Sequence, residues 1–177
     1  MPKRLRSRFS QAVMLLAIVL AGSAAWAQKI DVQFDASADF SKYKTFAIRD
    51  GKLNSKNPAL NSELVQKQIE TDIRNDLTSR GLTEATDGPA DLNVVYHFGS
   101  QRKAEVEAYP AGWRGWGTRY VRVPYAEGTL VIDLRDTGTH SMVWRGIASE
   151  EKSNAADIQK KLDNMVKKAI EKYPPKK

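Results

Sequence analysis

The sequence predicts an α+β fold, a two-layer sandwich with a mainly antiparallel sheet and two helices on one face. Three observations carry this. Several short segments alternate apolar and polar residues with a period of two. Two longer segments repeat apolar residues every three or four positions, the spacing of a helix with one buried stripe. Turn-forming strings join the later strands as hairpins.

The first 27 residues stand apart. Lys3, Arg4, Arg6 and Arg8 open the chain without an acidic residue, an apolar run extends from Ala12 to Ala21, and Ala25-Trp26-Ala27 has a small-x-small form. This is the pattern of a secretory signal peptide cleaved after Ala27. The run is shorter than the roughly 20 residues a membrane span needs, and no Arg-Arg pair marks twin-arginine export. The expectation is a periplasmic protein formed by a single domain over residues 28–177, with no transmembrane segment in the mature chain.

Charge and composition narrow the function classes. The 177 residues carry a net +7, but four cations lie within the first 27; the rest has 24 cations against 21 anions, or +3. So small an excess argues against a nucleic-acid partner. The absence of cysteine excludes disulfides, thiolate nucleophiles and cysteine metal sites, and predicts no lipid anchor. The core alone must hold the domain, and a chain of about 150 residues can bury roughly 68–70% of its unfolded surface.

The elements follow in order. Ile30, Val32 and Phe34 alternate with Asp31, Gln33 and Asp35, a half-buried strand. Asp39-Phe40-Ser41 reads as a turn, Thr45–Ile48 as a second strand, and the polar stretch from Asp50 to Asn61 as a loop. Val65, Ile69, Ile73 and Leu77, with Leu64 beside them, mark the first helix. Asn61 or Ser62 can cap its start, Gly81 suits the left-handed position past its end, and Glu70 with Arg74 forms an i,i+4 pair.

Leu92, Val94, Tyr96 and Phe98 face one way and Asn93, Val95 and His97 the other, a third strand. Residues 100–119 read as irregular. Val121, Val123 and Tyr125 alternate again, with Pro124 predicting an edge. A hairpin follows over Gly128–Arg135 and Thr139–Ser149. A three-residue loop Asp136-Thr137-Gly138, with Gly138 left-handed, sets Leu130 opposite Trp144 and Ile132 opposite Met142. Asn154, with Asp157 three residues on, caps a last helix striped by Ile158, Leu162, Val166, Ala169 and Ile170. Pro174-Pro175 ends it. The predicted order is β-β-α-β-β-β-β-α.

Asp39-Phe40 with Tyr43 and Thr45-Phe46, Ala90-Asp91-Leu92, Glu127-Gly128-Thr129-Leu130 with Asp133, Trp144-Arg145-Gly146, and Tyr173-Pro174-Pro175 resemble the bacterial family called domain of unknown function 4136. The resemblance covers nearly all of the chain after the leader. It implies a Gram-negative cell-envelope location and no established activity. Many members look like lipoproteins, and this sequence departs from them in lacking the anchor cysteine.

The chemistry-bearing residues point away from catalysis. Asp136-Thr137-Gly138-Thr139 matches the string around an aspartic-protease carboxylate, but no second Asp-Thr/Ser-Gly supplies the partner acid, and the turn already explains these residues. His97 and His140 have no second histidine three or four positions away, so no metal site is expected. No nucleophile elbow, phosphate-cradling loop or cofactor motif is present. Asp133 is expected on a wet sheet face, paired with a neighbouring-strand cation such as Arg122. The basic side of the last helix, including Lys160, Lys161, Lys167, Lys168 and Lys172, reads as a solvated face.

The best binding candidate is the stretch from Tyr109 to Tyr120. Tyr109, Trp113, Trp116 and Tyr120 offer flat apolar faces with a polar edge, and Arg114 and Arg119 can hold phosphate or carboxylate. The expected function is a non-enzymatic envelope protein that takes a glycan, lipid headgroup or partner protein there. The alternatives are a hydrolase of envelope polymers, with Asp133 and Asp136 as its acids, and an accessory subunit of an envelope membrane complex.

Overall fold

The computed structural model describes residues 29–111, 117–152 and 154–176. The expected leader and its expected cleavage position lie outside the described residues. The strands are β1 (Lys29–Phe34), β2 (Thr45–Ser55), β3 (Thr83–Glu84), β4 (Leu92–Ala111), β5 (Gly117–Asp136) and β6 (Met142–Lys152); the helices are α1 (Glu63–Ser79), α2 (Ala155–Gln159) and α3 (Leu162–Ile170). The sheet order is β1-β6-β5-β4-β2-β3. The pairs β1/β6, β6/β5 and β5/β4 are antiparallel, and β4/β2 and β2/β3 are parallel. This is the expected α+β sandwich with a mixed sheet. Its parallel part arises because α1 lies between β2 and its neighbours in sequence.

Local chemistry explains α1. Ser62 is the cap, its Oγ accepting from the Val65 amide at 3.4 Å. Val65, Ile69, Ile73 and Leu77 are fully buried, and Gly81 takes φ +89° just beyond the end. The expected Glu70–Arg74 pair gives way to longer-range partners. Arg74 Nε meets Glu84 Oε2 of β3 at 2.5 Å, and Glu70 accepts from the Tyr96 hydroxyl at 2.9 Å. The helix thus fastens to the sheet through the residues expected to pair on its surface.

Four expectations about the strands change. The stretch read as a loop from Asp50 continues β2 to Ser55, paired with β4 as far as Ser100. It is polar because β3 covers only Thr45 and Phe46, so the rest of β2 is a sheet edge. Gly51 fits there because a Cβ would come within 2.2 Å of the Tyr96 ring. Residues 100–111 and 117–119 are strand, and the segments around Val121 and Gly128 are parts of one strand, β5.

The β5–β6 register also differs. Leu130 lies opposite Ala148, Ile132 opposite Gly146 and Leu134 opposite Trp144, with an irregularity at Leu134/Arg135. The loop is longer than three residues, since the Asp136 amide bonds to the Ser141 carbonyl. His140, at φ 57°, takes the left-handed conformation assigned to Gly138. The shift is even as far as Leu134, so Leu130, Ile132 and Trp144 keep their expected face, while beyond the irregularity Met142 lies opposite Arg135 instead of sharing the face of Ile132. The last helix is broken at Lys160 and Lys161 into α2 and α3, although Asn154 caps its start as expected, with Oδ1 accepting from the Asp157 amide.

The core lies between one sheet face and the helices. Phe46, Leu92, Val94, Tyr96, Leu130, Ile132, Leu134 and Trp144 from the sheet meet Ile69, Ile73, Leu162, Val166 and Ile170. Gly146 sets the spacing of α3, because a Cβ would stand 1.9 Å from the Ala169 carbonyl oxygen.

Candidate functional site

The two longest strands extend beyond the sheet. β2 stops pairing with β4 at Ser100, and β6 stops pairing with β5 at Ala126. From Gln101 to Ala111 and from Gly117 to Tyr125, β4 and β5 pair only with each other. The result is a two-stranded ribbon of about nine paired rungs, roughly 30 Å long at about 3.3 Å per residue. Pro124 lies inside it, opposite Ala104. The proline does signal a strand with one neighbour, as expected, but only for this part of an otherwise central strand.

The expected binding stretch is the outer part of this ribbon. Tyr109 lies opposite Arg119, and Tyr120 opposite Ala108. Tyr120 is 71% exposed, and Val106 on the facing strand is 57% exposed. Trp113, Arg114 and Trp116 lie outside the described residues. The stretch stands out in sequence by its aromatic and basic composition. Its strand character was hidden by glycines, prolines and charges that mimic a loop.

At the ribbon's root is a cavity of about 860 Å³, bordered by Lys56, Asn57, Ser100, Arg102, Pro124 and Asn154 among others. A second hollow of about 520 Å³ lies beside it and includes Lys52, His97 and Thr129. His97 is an exposed strand residue there. A third, of about 300 Å³, lies between α1 and α3 and gathers Asp72, Asp76 and Asp163. Burial raises the carboxyl of Asp72 above its ordinary range, with Asp163 and Asp76 adding to the effect. No group of three or more metal-ligating side chains forms a metal site among the described residues.

The far end of β5 is closed by a different kind of chemistry. Asp136 is buried, and its Oδ2 accepts from Lys42 Nζ at 2.7 Å and from the Tyr43 hydroxyl at 2.9 Å. Its Oδ1 accepts from the amides of Gly138 and Thr139 at 2.9 and 3.0 Å. The Lys42 ammonium and these donors hold the carboxyl far below the usual carboxylate range. Asp91 does similar work nearby, accepting from the Lys44 and Thr45 amides at 2.8 and 2.9 Å. Aromatic rings close the layer. Trp144 stacks on Phe34 and meets Tyr173 edge-on, and Phe40 meets Tyr43 and Tyr173 edge-on.

Asp133 is buried rather than wet, and its partner is Arg145 on β6, not Arg122. The two are opposite in register and joined by two bonds of 2.6 Å. Asp133 and Asp136 are three apart on one strand, so they face opposite sides of the sheet. Both carboxylates are engaged by cations, and they form no common site.

The basic side of the last helix is partly paired, Lys160 with Asp157 and Lys168 with Glu171, while Lys161, Lys167 and Lys172 face solvent. No helix among the described residues is long and apolar enough to cross a membrane.

The architecture defines a single-sheet α+β domain with one protruding ribbon. The chain belongs to the family described as a domain of unknown function (DUF4136), whose model matches residues 30–175. The residues that carry the family resemblance are scaffold residues. Asp39 caps a turn, Tyr43 and Asp91 brace the closed end, Gly146 admits α3, and Trp144 and Tyr173 fill the core. None lies in the ribbon.

The fold is similar to part of a PDZ domain protein from Parabacteroides distasonis ATCC 8503, with a TM-score of 0.57 and 15% identity over 84% of this chain and 36% of that chain. This chain therefore spans little more than a third of that protein. A PelC dodecamer subunit from Paraburkholderia phytofirmans is similar at a TM-score of 0.49 and 11% identity, over 81% of this chain and 95% of that chain. No curated protein sequence matches this one.

Proposed function

We propose that this protein is a non-enzymatic component of the bacterial cell envelope, exported to the periplasm, that binds its partner through the ribbon of residues 101–125. The observation that carries the reading is the ribbon itself. It leaves the sheet, pairs only internally, and holds Tyr120 and Val106 in solvent. A large aromatic side chain exposed on an element with no described residue in the core favours a contact surface. Loops and extensions on a rigid scaffold carry binding disproportionately. The N-terminal charge and apolar pattern supports export. The commitment of Asp133 to Arg145 and of Asp136 to Lys42 and Tyr43 favours binding over hydrolysis, because an acid catalyst needs a carboxyl free to give up a proton near neutral pH.

The test replaces residues 103–125 with a two-residue Asn-Gly turn, which joins Arg102 to Ala126, its partner across the ladder. The shortened protein is expected in the periplasmic fraction with an unchanged melting temperature, and without the partner that the complete chain captures from envelope extract. Capture by the shortened protein at the original level rules the reading out.

A further inference from the structure

We infer that the cavity at the root of the ribbon is a binding site for an acidic glycan chain, with Lys56 and Arg102 as its anion-holding groups. This rests on the reading of the ribbon as the binding element and names the class of ligand. The cavity measures about 860 Å³, within the range of about 300–1,000 Å³ typical of ligand sites. No carboxylate is among its described lining residues. Lys56 and Arg102 both border it, and neither side chain has a hydrogen bond or ion pair with a described residue. Two other cations of the sheet differ. Arg145 is forked onto Asp133, and Lys103 pairs with Glu127.

The charge pattern continues outward. Arg102 and Arg122 share one face of the ribbon, because Arg102 lies opposite Ala126 and Arg122 opposite Val106. They are four rungs apart, roughly 13 Å at about 3.3 Å per residue. The described residues of that face are Arg102, Ala104, Val106, Tyr120, Arg122 and Pro124, and none is acidic. The ribbon segment 101–125 contains five cations and two anions, a net +3 that equals the whole excess of residues 28–177. A polyanion is therefore drawn to this side of the molecule.

Shape decides between a chain and a surface. The cavity is recessed, with the 3₁₀ turn Pro58–Leu60 and the start of α2 bordering it on the body side. A planar bilayer cannot enter such a recess, whereas one unit of a flexible chain can. The polar lining suits sugar hydroxyls, and Tyr120 offers an exposed ring farther along the same face on which a sugar can stack. The chain's acidic groups would meet Lys56 and Arg102 within the recess and Arg122 beyond it.

Calorimetric titration of the complete chain with a hexamer of galacturonic acid tests this. Its fully methyl-esterified counterpart serves as the neutral control, and phosphatidylglycerol vesicles serve as the membrane probe. The acid hexamer is expected to bind, more weakly as salt is raised, and the ester at least tenfold less tightly. Combining Lys56→Gln with Arg102→Gln is expected to weaken acid-hexamer binding at least tenfold with no change in melting temperature, since both residues are exposed. Absence of binding, equal binding of the ester, or indifference to the double substitution overturns the inference. Co-sedimentation with vesicles in place of hexamer binding assigns the face to a membrane instead. If the double variant still captures the envelope partner while the shortened ribbon does not, the glycan inference falls and the ribbon reading stands. If the shortened ribbon captures it too, the ribbon reading itself falls.

Discussion

The two ends of the β4–β5 hairpin share one backbone ladder and differ in what holds them. At one end Leu92 lies opposite Asp136, flanked by Asp91, Tyr43 and Lys42 and covered by the rings of Phe40, Trp144 and Tyr173. At the other, Ala111 lies opposite Gly117 with no strand on either side. Ladder hydrogen bonds between β4 and β5 run to both ends, but in the ribbon they come from one side only. Among the described residues, only the closed end adds apolar burial and charge-assisted bonds, which make a region costly to disturb. The family resemblance follows the closed end, and the proposed function follows the open one. Scaffold and proposed contact surface are thus separated along a single pair of strands.

The largest blow to this contrast falls on Trp144. Its side chain is fully buried, stacked on Phe34 with ring centroids 6.2 Å apart and edge-on to Tyr173 at 5.6 Å. Trp144→Ala should destabilise the domain by about 3–5 kcal/mol, at roughly 2–4 °C of melting temperature per kcal/mol for this size. Trp144→Phe should cost much less, because Nε1 is buried without a partner and its loss breaks no hydrogen bond. Thermal unfolding of the two variants checks the ranking. Equal losses would mean that the ring's outer edge, rather than its aromatic contacts, holds the layer.

A middle-sized effect is expected at Asp136. Lys42 is half in solvent, so its ion pair contributes modestly, while the Tyr43 hydroxyl and the two amides act on a shielded carboxylate. Hydrogen bonds to a charged group contribute about 1.5–3 kcal/mol. In Asp136→Asn, an amide oriented to keep the backbone bonds turns its NH₂ toward Lys42 and Tyr43, donor against donor. The pH dependence has a definite sign. The folded carboxyl is depressed, so its stabilisation is fully present above the unfolded value of about 3.9. It is lost as pH falls from there toward the folded value. Denaturant titrations should show the unmodified protein losing more stability below about pH 4 than Asp136→Asn does. Parallel curves would remove Asp136 from the closed end's energetics.

How legible these two ends are in the sequence follows from the same contrast. The closed end writes itself in apolar periodicity, so β1, α1 and the face of Trp144 can be read directly. The identity of its partners cannot, because Tyr43 meets Asp136 across 93 positions and no local pattern specifies such a bond. The Leu130–Trp144 register fails for a related reason. Gly138 invites a three-residue loop, whereas Asp136 binds two amides of a longer one. The open end misleads in the opposite way. The face of Arg102, Val106, Tyr120 and Arg122 is exposed and needs no apolar run, and residues 100–119 resemble a loop by composition. What composition does reveal there is chemistry, in the arginines and aromatic rings, but not the strands that present them. The root cavity is assembled from Lys56, Arg102 and Asn154, on separate elements, and leaves no contiguous trace.

The smallest expected effect on stability is also the sharpest test of the separation. Val106 and Tyr120 are 57% and 71% exposed and lie on the same face of the ribbon, because Val106 pairs with Arg122 and Tyr120 with Ala108. Neither belongs to the core cluster. Surface substitutions away from caps, cores and buried networks usually change stability by no more than about 0.5 kcal/mol. Changing both to serine removes two strand-favouring side chains but leaves the ladder bonds of β4 and β5 in place. The double variant should therefore melt within about 2 °C of the unmodified protein, while capture of its partner falls at least tenfold. Melting reports the scaffold and capture reports the surface, so a divided molecule moves one without the other. A fall of many degrees would mean that these side chains fold back onto the body, and that the ribbon shares the scaffold's work after all.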